Sequence, residues 1–137
     1  MKKIPGILLF VTLAFSCQQI YTSPQKLIGK WDNTYYVQTL DSTGKWSDWT
    51  LINTFAALPQ LEFTSEGKIL WDGKPSTSCC SYLSYALKGN KIHLSDPAAS
   101  DALCNCAACD VWEIEKLTDE ILEIDMCYSK VRYSRAK

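Results

Sequence analysis

The sequence has a single histidine, His93, and lacks a G-x-S-x-G motif, a glycine-rich phosphate loop and any local pairing of that histidine with a serine or cysteine nucleophile. Hydrolytic and nucleotide-dependent chemistry drop out, and the chain is expected to bind or to support structure as a non-enzyme without a cofactor. It has no basic stripe, so nucleic acid is not an expected partner. No helix-period segment exceeds two turns, which leaves an all-α or α/β fold without material. The longest apolar run, Ile4 to Phe15, is too short to span a bilayer comfortably. The paired C-x-x-C knuckles of a zinc ribbon are also missing.

That apolar run follows Lys2 and Lys3 and ends in Ser16-Cys17, the layout of a secretory signal over residues 1–16. A small residue directly before Cys resembles the lipobox of bacterial lipoproteins, in which the Cys is lipidated and becomes the new N-terminus; here Ala14 stands where that motif usually has Leu. The resemblance implies that Cys17 is the lipid anchor, and an ordinary signal peptide cut near Cys17 is the alternative. Either way the chain is expected outside the cytoplasm. Without Lys2 and Lys3 the 14 basic residues become 12 against 15 acidic ones. No acidic run follows Cys17, which points to a bacterial cell-envelope protein on the outer membrane facing the periplasm. Residues 17–26 read as lipidated Cys and tether.

At 137 residues, with 47% apolar and 12% aromatic content, the chain holds one folded domain, expected over residues 27–137. Short apolar runs alternate with turn residues, the pattern of an antiparallel all-β meander. Strands are expected at 28–38, 46–55, 60–64, 68–72, 81–88, 91–95, 111–117, 121–127 and 131–135, with tight turns at 65–68, 88–91 and 117–120. Alternation places Phe63, Trp71, Tyr85, Trp112, Ile114, Leu122, Ile124 and Met126 inward. A three-residue turn at 118–120 sets Trp112 opposite Met126, Ile114 opposite Ile124, and Glu115 opposite Glu123. Eight or nine strands of this length favour a closed barrel, which has no bare edges, over a two-sheet sandwich.

"LIGKW", "LEFTSEGKI", "YALKGNKIHL" and "WEIEKLTDEILEI" before a basic last strand are similar to the lipocalin-like lipoproteins of bacteria. That resemblance implies that Gly29 and Trp31 form the G-x-W at the closed end of the barrel, with Arg135 or Arg132 packed across the Trp. It also implies a small apolar or amphipathic ligand, for which Phe63, Trp71, Tyr85 and Trp112 are candidate lining residues. The same aromatics would equally make a filled core, and the protein a structural or interaction module.

Beyond Cys17 there are six cysteines: Cys79, Cys80, Cys104, Cys106, Cys109 and Cys127. An even count in an exported domain predicts a disulfide framework. The register brings Cys109 near Cys127 and leaves Cys79 or Cys80 to pair with Cys104 or Cys106. The alternative is a Zn or Cu site from the thiolates of Cys79, Cys80, Cys104, Cys106 and Cys109. A thioredoxin-type role for "CAAC" lacks its helical context. Counting strands up and down puts all six at the end of the barrel occupied by Gly29 and Trp31.

Overall fold

The computed structural model describes residues 23–98, 104–107 and 109–137; the signal segment and Cys17 lie outside them. One helical turn, α1 (Pro24–Leu27), precedes nine strands: β1 (Gly29–Thr39), β2 (Thr50–Leu51), β3 (Leu61–Phe63), β4 (Ile69–Trp71), β5 (Tyr82–Lys88), β6 (Lys91–Pro97), β7 (Val111–Leu117), β8 (Ile121–Asp125) and β9 (Ser129–Arg135). All pairings are antiparallel, in the order β4-β3-β1-β9-β8-β7-β6-β5. The two outer strands of that order meet through a bridge between Lys68 and Ser84, and the Tyr85 amide donates to the Gly67 carbonyl at 2.8 Å. One sheet therefore curls back on itself as a nearly closed barrel, and the sandwich alternative is excluded.

Sequence alternation fails at the second strand. Of the expected 46–55 only Thr50 and Leu51 form a strand, against Val37 and Tyr36 of β1, with Trp46 bridged to Leu40, and β3 takes the first three residues of the same edge. The aromatics of this segment find partners outside the barrel. Trp46 lies 4.6 Å from the Lys130 ammonium and Trp49 lies 4.3 Å from the Arg132 guanidinium, both cations projecting from the outer face of β9. The turn leading there is built by Asp41, whose carboxylate accepts from the Thr43 hydroxyl and from the Thr43 and Lys45 amides and is held below its usual pKa, the Thr43 hydroxyl contributing most. Residues 46–52 thus run back along the part of the β1 edge that β3 completes, and the two segments make one crossing of the barrel where two were expected.

One crossing fewer exchanges the two ends. The turns after β3, β5 and β7 gather at the end where β1 begins and β9 finishes, with Gly29 paired to Phe63 and Trp31 to Arg135. The connections from β4 to β5, β6 to β7 and β8 to β9 all lie at the opposite end. All six cysteines belong to these connections or their edges, so the expectation that they share an end with Gly29 and Trp31 is overturned.

A second departure lies in β7. Glu113 pairs with Asp125 and Ile114 with Ile124 as expected, but Lys116 then pairs with Glu123 and Leu117 with Leu122. Glu115 is the extra residue of a bulge, and the Thr118 amide donates to the Ile121 carbonyl at 2.8 Å across Asp119-Glu120. The bulge reverses parity, so Lys116 turns to water and Leu117 packs on the core. It also separates Glu115 from Glu123: Glu115 pairs with Lys130, and Glu123 with Arg132 at 2.7 Å.

Leu27, Trp31, Leu61, Phe63, Ile69, Ile92, Ile114, Leu122 and Ile124 are wholly or almost wholly removed from water and form the core with Leu94, Val131 and Tyr133. Burial pushes the Tyr133 phenol well above its ordinary value of 10.0. The fold favours the neutral phenol, so this contribution to stability is complete below pH 10 and is lost as pH rises further, because the unfolded chain ionises first. The expected slope is about 1.4 kcal/mol per pH unit. Urea unfolding at pH 9, 10 and 11 should show it, and Tyr133→Phe should flatten it; an unchanged slope in the variant would assign the alkaline loss to other groups.

Candidate functional site

The end of the barrel where β1 begins is sealed, and it is assembled from the two terminal segments of the domain. Pro24 suits the first turn of α1, where no amide partner is needed, and the turn delivers Leu27 into the core at 0% exposure. Residues 24–26, expected as the end of the tether, belong to this turn. The Trp31 indole N–H donates to the Leu27 carbonyl at 2.9 Å, tying α1 beneath the barrel. The Arg135 guanidinium lies 3.8 Å over the Trp31 ring, donates to the Ile28 carbonyl at 2.9 Å and to the Lys26 carbonyl, and reaches the Asp119 carbonyl at 3.3 Å. Partial desolvation pulls Arg135 below its usual pKa, opposed by Asp119, whose carboxylate also pairs with Lys26 at 3.2 Å. Arg135 takes the position across Trp31. Arg132 faces outward onto Trp49 and Glu123.

Gly29 has φ of 123°, and a β-carbon there would stand 2.7 Å from Arg135 Nη1. Gly29→Ala is expected to cost roughly 1–3 kcal/mol, from backbone strain and displacement of the guanidinium. Chemical denaturation of Gly29→Ala, alone and with Arg135→Ala, separates the two causes. The crowding should vanish in the double variant while the strain persists. A neutral Gly29→Ala would show that this contact is not needed.

Inside the barrel, alternation identified the inward face but not depth. Phe63 is fully buried and stacks edge-on with Tyr85 at 5.0 Å between centroids. The Tyr85 hydroxyl donates to the Thr64 carbonyl at 2.8 Å in the sealed-end turn. Burial raises the pKa of Tyr85, and Glu66 adds to the effect. These two aromatics form the floor. Trp71 is the last residue of β4 and lies opposite Leu61, and Trp112 is the second of β7 and lies opposite Ile92; both are half-buried against the core along with Val37, Tyr82 and Met126. Phe63 and Tyr85 are held by packing on each other, whereas the two indoles keep part of their surface in water.

A groove of about 560 Å³ is lined by Tyr35 and residues 51–57, with Leu51 60% exposed and Phe55 wholly exposed. Tyr35 has φ of 64° at the irregularity in the β1–β9 ladder, and its hydroxyl accepts from the Leu58 amide at 3.3 Å. Nothing in the alternation of β1 signalled this kink. On the opposite flank a polar latch joins the sheet edges: Lys68 Nζ donates to Ser84 Oγ at 2.8 Å, and Ser84 donates to Asp96, which adopts φ of 56°.

The cysteines tie the connections at the opposite end as disulfides: Cys79 with Cys104, Cys80 with Cys106, and Cys109 with Cys127, with Cα separations of 5.7, 5.3 and 6.0 Å. The thiolates required by the Zn or Cu alternative are all consumed. Among the described residues no three His, Cys, Asp or Glu side chains are grouped to hold a metal ion. His93 sits half-exposed opposite Ala86 and Val111, apart from the cysteines.

No family model and no curated protein matches the sequence. Among solved structures the chain is similar to a lipocalin-like protein from Bacteroides uniformis, with 18% identity, a TM-score of 0.47, and coverage of 81% of this chain and 99% of that one. On its own strand order, the closure of its last strand against its first, and the guanidinium laid across Trp31, the chain has a lipocalin-like fold.

Proposed function

We propose that the protein is a lipid-anchored component of the bacterial cell envelope whose barrel takes one small apolar or amphipathic molecule through its open end, by binding and without chemical turnover. The observation that carries this reading is the contrast in burial along the barrel. Trp31, Leu61, Phe63 and Ile69 toward the sealed end are at most 1% exposed, whereas Val37 and Met126 toward the other end, and the indoles of Trp71 and Trp112 beside Leu61 and Ile92, keep contact with solvent. An apolar wall with half-exposed indoles suits a ligand with an apolar body and a polar group left at the rim.

The anchor fits the same orientation. With Cys17 acylated, the six residues to Ser23 reach at most about 20 Å. The sealed end, where α1 lies, would then face the membrane and the opening would face away from it. Acyl chains on Cys17 hold the protein without a spanning helix, and Cys17→Ser should move it from the membrane fraction to the soluble one.

The test of binding is titration of the membrane-extracted protein with a fluorescent fatty-acid analogue, alongside mass spectrometry of lipid extracts from the same preparation. Saturable one-to-one binding that weakens at least tenfold in Trp112→Ala, and not in the exterior variant Trp46→Ala, supports the reading. No saturable binding and no co-extracted lipid would make the barrel a packed structural module.

A further inference from the structure

The three disulfides are not equivalent. Cys79, Cys80 and Cys106 are exposed and Cys104 is half-buried, whereas both members of the Cys109–Cys127 bridge are half-buried. Exposure of sulfur to an attacking thiolate is what makes a disulfide exchangeable. Two of the bridges are also neighbours. Cys79 and Cys80 are consecutive, and the Cys106 amide donates to the Cys104 carbonyl at 3.1 Å, folding that three-residue piece so that both its cysteines meet the consecutive pair. A thiolate released from one bridge is therefore next to the other bridge.

Stapling alone does not account for both bonds. The stabilisation from a cross-link grows with the logarithm of the ring it closes. Once Cys79 and Cys104 are joined, Cys80–Cys106 closes only a ring of five residues and adds little restriction. Cys80 itself is held at φ of 64°, a strained backbone for a residue with a side chain. Neither bond lies within a strand pairing of the barrel, whose edges near here are fixed separately by the Ala98 amide on the Ser81 carbonyl at 2.8 Å.

We propose that Cys79–Cys104 and Cys80–Cys106 form a thiol-exchange site for dithiol reductants, opening as a unit while the barrel and Cys109–Cys127 stay intact. A reductant thiolate attacks an exposed sulfur, forming a mixed disulfide and expelling the partner cysteine as thiolate. The second reductant thiol then closes its own disulfide and releases the protein sulfur. Two dithiols are oxidised, and the two protein bonds gain four electrons and four protons to give four thiols. The proposal is independent of what the barrel binds.

The experiment is a dithiothreitol series on the oxidised full chain at pH 8, with iodoacetamide trapping, peptide mapping of the tags, and circular dichroism at each step. The expected result is a plateau with four tags, on Cys79, Cys80, Cys104 and Cys106, and an unchanged β spectrum. Trapping earlier should find two-tag chains labelled across both bridges, because the freed thiolates exchange with the neighbouring bond. Tagging of Cys109 and Cys127 at the same reductant concentration, or loss of the β spectrum at four tags, would overturn the proposal. A Cys80→Ser/Cys106→Ser variant checks the redundancy argument separately, and is expected to melt within about 3 °C of the native chain. A larger drop would make that bond a staple and sink the inference.

Discussion

Replacing Trp31 with alanine is expected to lower the free energy of unfolding by about 3–5 kcal/mol. The side chain is completely buried and touches three parts of the sealed end at once. Its removal opens a cavity between Leu61 and Leu27, leaves the Leu27 carbonyl without its indole donor, and takes away the ring beneath Arg135. For a domain whose total stability is of order 5–15 kcal/mol, this change alone puts folding at risk. Urea unfolding with the disulfides intact measures it. Trp31→Phe preserves most of the volume and loses the N–H donor, so its cost should fall to about 1–2 kcal/mol. A loss below 1 kcal/mol in Trp31→Ala would mean that α1 and Arg135 do not depend on this ring.

The second large effect is at the opposite end. Replacing Cys109 and Cys127 together by serine is expected to cost about 3 kcal/mol, the chain-entropy value for a ring of this size. The two residues are 18 apart in sequence, and their bond ties the approach to β7 to the exit from β8. Cys127 itself has φ of 72° and its amide donates to the Asp125 carboxylate at 2.9 Å, so the turn is shaped around the bond. A fall of roughly 10–15 °C in melting temperature corresponds to this loss, and an unchanged melting temperature would assign the turn geometry to hydrogen bonding alone. Trp31 and this bond share no partners, so a triple variant should show additive losses within about 0.5 kcal/mol.

Most strands were legible because a half-buried strand must alternate, as β3, β6, β8 and β9 do. What alternation cannot reveal is an aromatic that finds its partner outside the core. Trp46 and Trp49 read as strand residues, yet they are satisfied by Lys130 and Arg132 on the exterior. That single misreading turned the barrel end for end in the strand count. The bulge at Glu115 did leave a trace: strict alternation after Trp112 and Ile114 would have put Lys116 in the core, and an inward lysine beside a free Leu117 is the sign of a parity change. Pro24 stands at the first helical position of α1, yet the surrounding polar residues read as tether and the turn was missed. For the candidate ligand wall, sequence could separate faces but could not sort Phe63 and Tyr85 from Trp71 and Trp112, because depth depends on how the strands stagger around the barrel.

The pairing of β1 with β9 governs when the molecule can acquire its native state. Trp31 is in register with Arg135, and the hydrogen bond from Arg135 to the Ile28 carbonyl spans 107 positions. Contacts this remote in sequence slow folding, because the entropy of closing a long loop must be overcome before any contact is made. A chain emerging N-terminus first has no partner for that edge of β1 until its final strand appears. Until then β1 and β8 each offer an unpaired edge to any other strand nearby. The same delay leaves the barrel unshut until its last strand has been made.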